Sequence, residues 1–371
     1  MRIVYVNSAH GPGGGHTSAV EVSLGLAEKG HELFMVCHPR SPICKQLAND
    51  ARLILWPIGI RADWNPYRIL QLANLNRRVQ PDLVLADKRN DVKMSVAARW
   101  LIGNFPIVNR FGAPGALKNS PSYRRIWGQG VQAIILNSHT MYQRMLVQIP
   151  WLKEMRIEVI HNGKDTRRYQ PLPNLRARMR AELGIPDDAF VVSFHGMVQP
   201  RKNIDLLVRA VGALPANLRV HVLIIGGGPT LSHLRHLATE LCAPATFTGL
   251  RQDIPEVLSA ADASANLSLA EGFSNSVLEA MSCGLPQILS DATSHPEQVD
   301  HEVQGLLVPP REVGAVADAI RRLATDPAGR ARMGAAARHR VITEFSRERM
   351  IDRYDAVLRE TVAAYGVGRR E

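Results

Sequence analysis

The chain has little of several things that would mark other protein classes. It has no run of about 18 apolar residues, so nothing in it reads as a membrane-spanning helix. The apolar stretch in Met1–Ser8 is too short for a signal peptide and reads as a buried first strand. Only four cysteines occur (Cys37, Cys44, Cys242, Cys283). They form no Cys-x-x-Cys pair and sit within apolar segments, so buried free thiols in a reducing cytoplasm are expected. Aromatic residues make up 5% of the chain and none interleave with a basic cluster. That speaks against single-strand nucleic-acid binding. No Walker loop, no 20–50-residue repeat and no low-complexity tract is present.

What is there is a basic, otherwise ordinary globular composition. The 371 residues include 45 Lys and Arg against 34 Asp and Glu, for a net charge of +11. Such a surface is either simply solvated or suited to phosphorylated small molecules or an anionic membrane face. At about 100–200 residues per domain, two domains are expected.

Short apolar runs alternate with helical patterns, the signature of βα units and a parallel sheet. The first series of strands is expected at Ile3–Val6, Leu33–Cys37, Leu53–Trp56, Leu83–Ala86, Ile107–Asn109 and Ala133–Leu136. A second series starts at Val191–His195 and continues through Val220–Ile225, Thr246–Thr248, Ala263–Asn266, Gln287–Ser290 and Gly305–Val308. The stretch Asn162–Pro186, rich in Asn, Gly, Pro and Arg, reads as the seam. The expected architecture is α/β, with two doubly wound Rossmann-like domains, 1–168 and 169–346. A closing helix, about 347–371, either caps the second domain or crosses back to the first.

Each half carries a glycine-rich turn. Gly11-Pro-Gly-Gly-Gly15, with Gly14 and Gly15 at its end, leads into a helix whose free N–H groups suit an anion. It departs from the dinucleotide fingerprint, because His16 stands where the third small residue belongs. Gly226-Gly-Gly228 follows a strand in the second half. Together they suggest a ligand between the domains; a tight strand-to-helix turn is the alternative for each.

The most informative segment is Glu271-Gly-Phe-Ser-Asn-Ser-Val-Leu-Glu279. Ser274, Asn275 and Ser276 are natural helix caps, so Glu271 falls in the loop before a helix and Glu279 within it. The helix N-terminus suits a diphosphate, and the carboxylates suit sugar hydroxyls. The alternative is a capping box between Ser276 and Glu279, which gives Glu271 and Gly272 no role.

These residues resemble the large family 4 group of GT-B retaining glycosyltransferases. The Glu-x7-Glu motif is present as Glu271 to Glu279 and continues through Ala280-Met-Ser-Cys-Gly-Leu-Pro286. Pro296-Glu297, Gly305–Pro309, Val159–Asp165, Ile134–Ser138 and the 11–15 turn resemble other family signatures. The resemblance implies a GT-B fold with a central cleft. It implies a nucleoside diphosphate sugar held mainly by the C-terminal domain, with no metal or other cofactor. It places Glu279 on the ribose and Glu271 on the donor sugar. It places Lys202, aided by Arg201, on the diphosphate, and the amides of Gly272, Phe273 and Ser274, with Asn275 next to them, around sugar and phosphate. It implies that the closing helix crosses to the first domain. Two positions depart from the pattern. Gly196-Met197 stands where the family has Gly-Arg, and Gly112 stands near its usual His. Asn109, Arg110 and His16 are the candidates for contacting acceptor or phosphate.

The function expected is hexosyl transfer to a glycan or lipid-linked acceptor of surface polysaccharide or lipopolysaccharide. It is expected in the cytoplasm or at the inner membrane face. Two alternatives stay open: a sugar-nucleotide epimerase or other GT-B enzyme without a glycan acceptor, and a non-catalytic basic binding protein.

Overall fold

The computed structural model describes residues 1–9, 14–60, 64–112 and 117–367. The chain divides into two compact units. The first comprises residues 1–162 and 348–371, the second 163–347.

In the first unit, seven strands among the described residues form one parallel sheet: β1 (Arg2–Asn7), β2 (Glu32–Cys37), β3 (Ile54–Pro57), β4 (Leu83–Ala86), β5 (Ile107–Phe111), β6 (Ala133–Leu136) and β7 (Ile157–Val159). Their spatial order is β3-β2-β1-β4-β5-β6-β7. Parallel strands linked by helical crossovers are covered on both faces, which is why β1, β2 and β4 read as continuous apolar runs. The alternation is still visible in the packing. Val4 and Val6 face one core with Ile69, Leu72 and Trp127. Ile3 and Tyr5 face another with Val20, Val22 and Leu26. The final helix, Arg347–Val367, sends Met350, Ile351, Tyr354, Val357 and Leu358 into this second core. Its docking is fixed by His31 Nε2 to Asp355 at 2.7 Å and Arg156 to Glu360 at 2.5 Å. Gly25 clears the way, since a Cβ there would sit 2.4 Å from Ile351.

The second unit holds β8 (Phe190–His195), β9 (Val220–Ile225), β10 (Ala245–Gly249), β11 (Ala263–Asn266), β12 (Gln287–Ser290) and β13 (Gly305–Val308). The order, β10-β9-β8-β11-β12-β13, is parallel throughout the described residues. Val192, Phe194, Val222 and Ile224 pack on one face and Val191, Leu223 and Ile225 on the other. In each sheet the strand order reverses once, between β1 and β4 and between β8 and β11. The crevice beyond the carboxyl ends at such a reversal is where open α/β sheets bind ligands.

The thiols depart from expectation. All four cysteines are free and Cys37 and Cys283 are buried, but Cys242 is exposed and Cys44 is partly so. Cys242 lies just past the helix Leu231–Glu240, in the left-handed conformation at φ 50°, so the turn carries it out of the apolar face. Strand β7 and the helices Val313–Thr325 and Pro327–Glu344 were not anticipated; β7 is three residues long with Glu158 at its centre and carries almost no pattern. No described helix is long and apolar enough to cross a membrane.

Candidate active site

The second unit's reversal point gathers a set of charges. β8 ends at His195, and Gly196 follows at φ 133°. The single turn Pro200–Lys202 comes next, with Lys202 buried. β11 ends at Asn266, and the loop from it carries Glu271 to the helix Asn275–Ser282. Parallel neighbours thus deliver polar ends to one edge of an otherwise apolar sheet.

Two ion pairs are built there. Lys202 Nζ lies 2.5 Å from Glu271 Oε1, with the side chains 7% and 12% exposed. Arg201, more exposed, donates to the Ala270 carbonyl at 2.9 Å and reaches Glu271 at 3.5 Å. Burial alone would raise the Glu271 carboxyl, but the Lys202 ammonium outweighs it and holds the pKa at about 2. Burial lowers the pKa of Lys202, and Glu271 opposes that shift. The second pair is Lys164 Nζ to Glu279 Oε1 at 3.1 Å, with Lys164 fully buried. His195 Nε2 approaches the other carboxylate oxygen at 3.1 Å; the carboxylate only accepts, so the ring N–H donates. Burial again works to raise Glu279, and Lys164 and His195 bring it to about 2. Both glutamates are therefore charged acceptors at neutral pH.

Asn266 joins the two halves of the site. Its amide nitrogen lies 3.3 Å from Glu271 Oε2, 3.0 Å from Ser274 Oγ and 3.3 Å from Ser276 Oγ. Its carbonyl oxygen accepts from Ser268. Ser274 occupies the N-cap but makes no side-chain cap bond. The alternative role for Glu279, a capping box with Ser276, is not formed: its carboxylate turns to Lys164 and His195 instead. The Ser274 amide donates to Gln298 Oε1 at 3.3 Å, and Gln298 Nε2 donates to the Ser274 carbonyl at 2.9 Å. Phe273 packs edge-on to Phe345 at 5.3 Å. Gly272 is buried beside them, and Asn275 opens the helix.

The glycines after β9 serve a close backbone approach. A Cβ on Gly226 would lie 2.0 Å from the Gly196 carbonyl oxygen, and one on Gly228 would lie 2.1 Å from that of Val198. The two loops that follow β8 and β9 therefore interlock backbone to backbone. Met197, at the departed position, is 37% exposed.

The remaining candidates lie in the first unit. Gly14 and Gly15 begin the helix Gly14–Glu28, and a Cβ on Gly15 would meet nothing within 4 Å. Residues 11–13 of the same turn lie outside the described residues. His16 is half-buried; burial lowers its pKa and its Nε2 has no partner. Asn109 is fully buried, donating to the Ala86 carbonyl at 2.8 Å and accepting from Trp127 Nε1 at 2.8 Å. Arg110 is 4% exposed. It donates to Tyr5 Oη at 3.3 Å and pairs with Asp87 at 3.4 Å. Its charge is answered within the sheet edge by Asp87, which also accepts from Tyr5 and Asn7.

Sequence reasoning missed Lys164, His195 and Asn266. A signal existed for two of them: each is the polar last residue of an apolar strand, Phe190-Val-Val-Ser-Phe-His195 and Ala263-Ser-Ala-Asn266. Lys164 carried no such signal, because its contact with Glu279 spans more than a hundred residues.

Comparison with known proteins gives a consistent picture. Residues 12–168 match the Glycosyltransferase Family 4 domain and residues 176–340 the Glycosyl transferases group 1 domain. A D-inositol 3-phosphate glycosyltransferase from Saccharomonospora viridis is 37% identical over 223 residues, which is 56% of this chain and 51% of that relative. The chain thus spans about half the length of that relative. A Rickettsia africae glycosyltransferase structure superposes with a TM-score of 0.86 at 19% identity, covering 97% of this chain and 98% of that one. Anabaena HepE, solved in complex with UDP and glucose, superposes with a TM-score of 0.83 at 20% identity, covering 96% and 99%.

Proposed function

From the premise that the chain belongs to the family 4 glycosyltransferases of the GT-B fold, we propose that it moves a hexose from a nucleoside diphosphate sugar to a hydroxyl of a glycan or lipid-linked acceptor, with retention at the anomeric carbon. The observation that carries this is the pair of ionised glutamates at the β8–β11 reversal, their side chains 12% exposed, each held by a lysine.

Chemistry and the family resemblance together give each group a task. Carboxylates accept from hydroxyls and repel phosphate; the family resemblance implies that Glu279 takes the ribose and Glu271 the hexose. Lys202 and Arg201 face the diphosphate. Negative charge grows on the leaving diphosphate as its bond to the anomeric carbon breaks. A preorganised ammonium in a dry site stabilises that charge at no reorganisation cost. The acceptor oxygen bonds to the same face of the anomeric carbon, and its proton passes to the departing phosphate oxygen. Glu271 is no nucleophile in this account, being occupied by Lys202 and sugar hydroxyls. The basic balance of the chain suits an acceptor or surface that carries phosphate. The alternatives, epimerisation and binding without catalysis, predict no transfer.

The test is a screen of UDP-, GDP- and ADP-sugars by thermal shift, since a bound donor stabilises by mass action. A transfer assay then uses lipid-linked saccharides, with the product anomer assigned by NMR. The curated relative favours a second acceptor class, a phosphorylated cyclitol, and inositol 3-phosphate belongs in the panel. Stabilisation by none of the sugars, or an inverted product, would contradict the proposal.

A further inference from the structure

The chain enters the second unit at Gly163 and leaves it at Arg347. Those two ends are paired. The Lys164 amide donates to the Phe345 carbonyl at 2.9 Å, the Arg347 amide donates to the Lys164 carbonyl at 2.9 Å, and Lys164 bridges Ser346 in parallel. Both passages of the chain between the units therefore run through one short backbone junction, whose residues all belong to the second unit.

The junction reaches the donor site from both of its strands. Lys164 Nζ meets Glu279 Oε1 at 3.1 Å, with the lysine side chain fully buried. Phe345 packs edge-on to Phe273 at 5.3 Å, in the loop that leads through Ser274 into the helix Asn275–Ser282. The backbone pairing needs no charge at position 164. An apolar side chain would fill the same buried space, whereas an ammonium out of water is costly unless a partner answers it. What the lysine adds is a fixed cation on Glu279. A carboxylate offers about four lone-pair sites. Lys164 holds one oxygen and His195 the other, which leaves acceptor capacity for ribose hydroxyls, and the Glu279 side chain keeps 12% exposure. A diol bound to Glu279 orders the carboxylate, the carboxylate orders the ammonium, and the ammonium is anchored on the junction backbone.

We propose that Lys164 is a positioning residue that couples the ribose carboxylate to this junction: a bound nucleoside diphosphate tightens the Lys164–Ser346 bridge, and the bridge holds Glu279 set for the ribose. The inference rests on the donor-site assignment above. The coupling is reciprocal, because the free energy by which the ligand stabilises the junction is the free energy by which the junction stabilises the ligand.

The experiment is hydrogen exchange on the full chain, read by mass spectrometry on peptides spanning Lys164 and Arg347, free and saturated with UDP, GDP or ADP. Local opening of the junction sets the exchange of its two donated amides. In wild type the diphosphate that binds slows them at least about fivefold, the lower end of the usual coupling between sites. Lys164→Met keeps the length of the side chain and removes its charge. It binds that diphosphate about tenfold more weakly, and at saturation, set by calorimetry, the slowing drops below about twofold. A lysine that served packing alone would give a lower melting temperature with the slowing intact. Glu279→Ala, also read at saturation, loses the slowing from the other side of the contact, and it decides the question if the methionine variant does not fold. Unslowed amides in wild type, or either variant keeping the wild-type slowing, overturns the inference. Where a diphosphate binds wild type, weakens in Glu279→Ala and leaves the junction unslowed, the donor site stands and the coupling alone falls. Binding of none of the diphosphates overturns the donor-site assignment and this inference with it.

Discussion

Glu271→Gln isolates the energetics of the site. The substitution keeps the shape and removes the charge that answers Lys202, whose side chain is 7% exposed. Breaking a buried pair from one side costs about 3–5 kcal/mol, because the partner stays buried and uncompensated. For a domain of 150–250 residues each kcal/mol moves the midpoint by about 2–4 °C, so the second unit should melt about 6–20 °C lower. The pH dependence has a definite sign. Without Glu271, burial depresses Lys202 further below its unfolded value, and the unfolded state then binds more protons. Stability of the variant rises with pH in that window, and the gap to wild type narrows between pH 7 and pH 9.5. The double variant Glu271→Gln/Lys202→Met removes both charges and should recover most of the loss. Scanning calorimetry at two pH values reads all of this. A loss under about 2 °C, a gap that widens with pH, or a double variant showing the sum of both single losses would refute the argument.

Other consequences follow from single contacts. Lys202→Ala should lower turnover by about 10²–10³ in the folded protein, the usual loss for one preorganised donor; full activity in a steady-state assay would remove Lys202 from the diphosphate. Asp91 is fully buried and burial raises its pKa to about 7. A carboxyl raised in the folded state contributes stability below its unfolded pKa and loses it as pH climbs toward 7, about 4 kcal/mol in all. Asp91→Asn should therefore gain on wild type from pH 4 to pH 8 in denaturant titrations, and a flat difference would contradict the burial argument. Gly226→Ala should cost at least about 2 kcal/mol, combining a φ of 143° with a clash on the Gly196 carbonyl; a neutral melting temperature would show that the loops are not interlocked.

The parallel-sheet architecture was readable because both faces of each sheet are covered. That turns β1, β2, β8 and β9 into apolar runs bounded by helical pattern. Strand β7 escaped because two apolar residues around Glu158 give no period. The Glu271 and Glu279 positions relative to their helix were readable from the caps at Ser274–Ser276. Their partners were not. His195 meets Glu279 because the strand order sets β8 beside β11, Asn266 meets Glu271 through the turn that leaves β11, and Lys164 comes from a separate segment bridged to Ser346; sequence carries no record of these juxtapositions. The Gly226–Gly228 turn shows a further limit: its glycines looked like a phosphate cradle, but the Gly196 and Val198 carbonyls account for two of them. The thiols were misplaced for a similar reason, since the turn at Cys242, not its apolar surroundings, decides its exposure.

The central claim is that the β8–β11 reversal of the second unit binds the nucleotide end of a sugar donor through Glu279. Titration calorimetry of wild type and Glu279→Ala with UDP-glucose, GDP-mannose and ADP-glucose tests it directly. The account predicts that one donor binds wild type with unit stoichiometry and loses about 1.5–3 kcal/mol in the variant, the range for a hydrogen bond to a charged group. Equal affinity in the two proteins would contradict it.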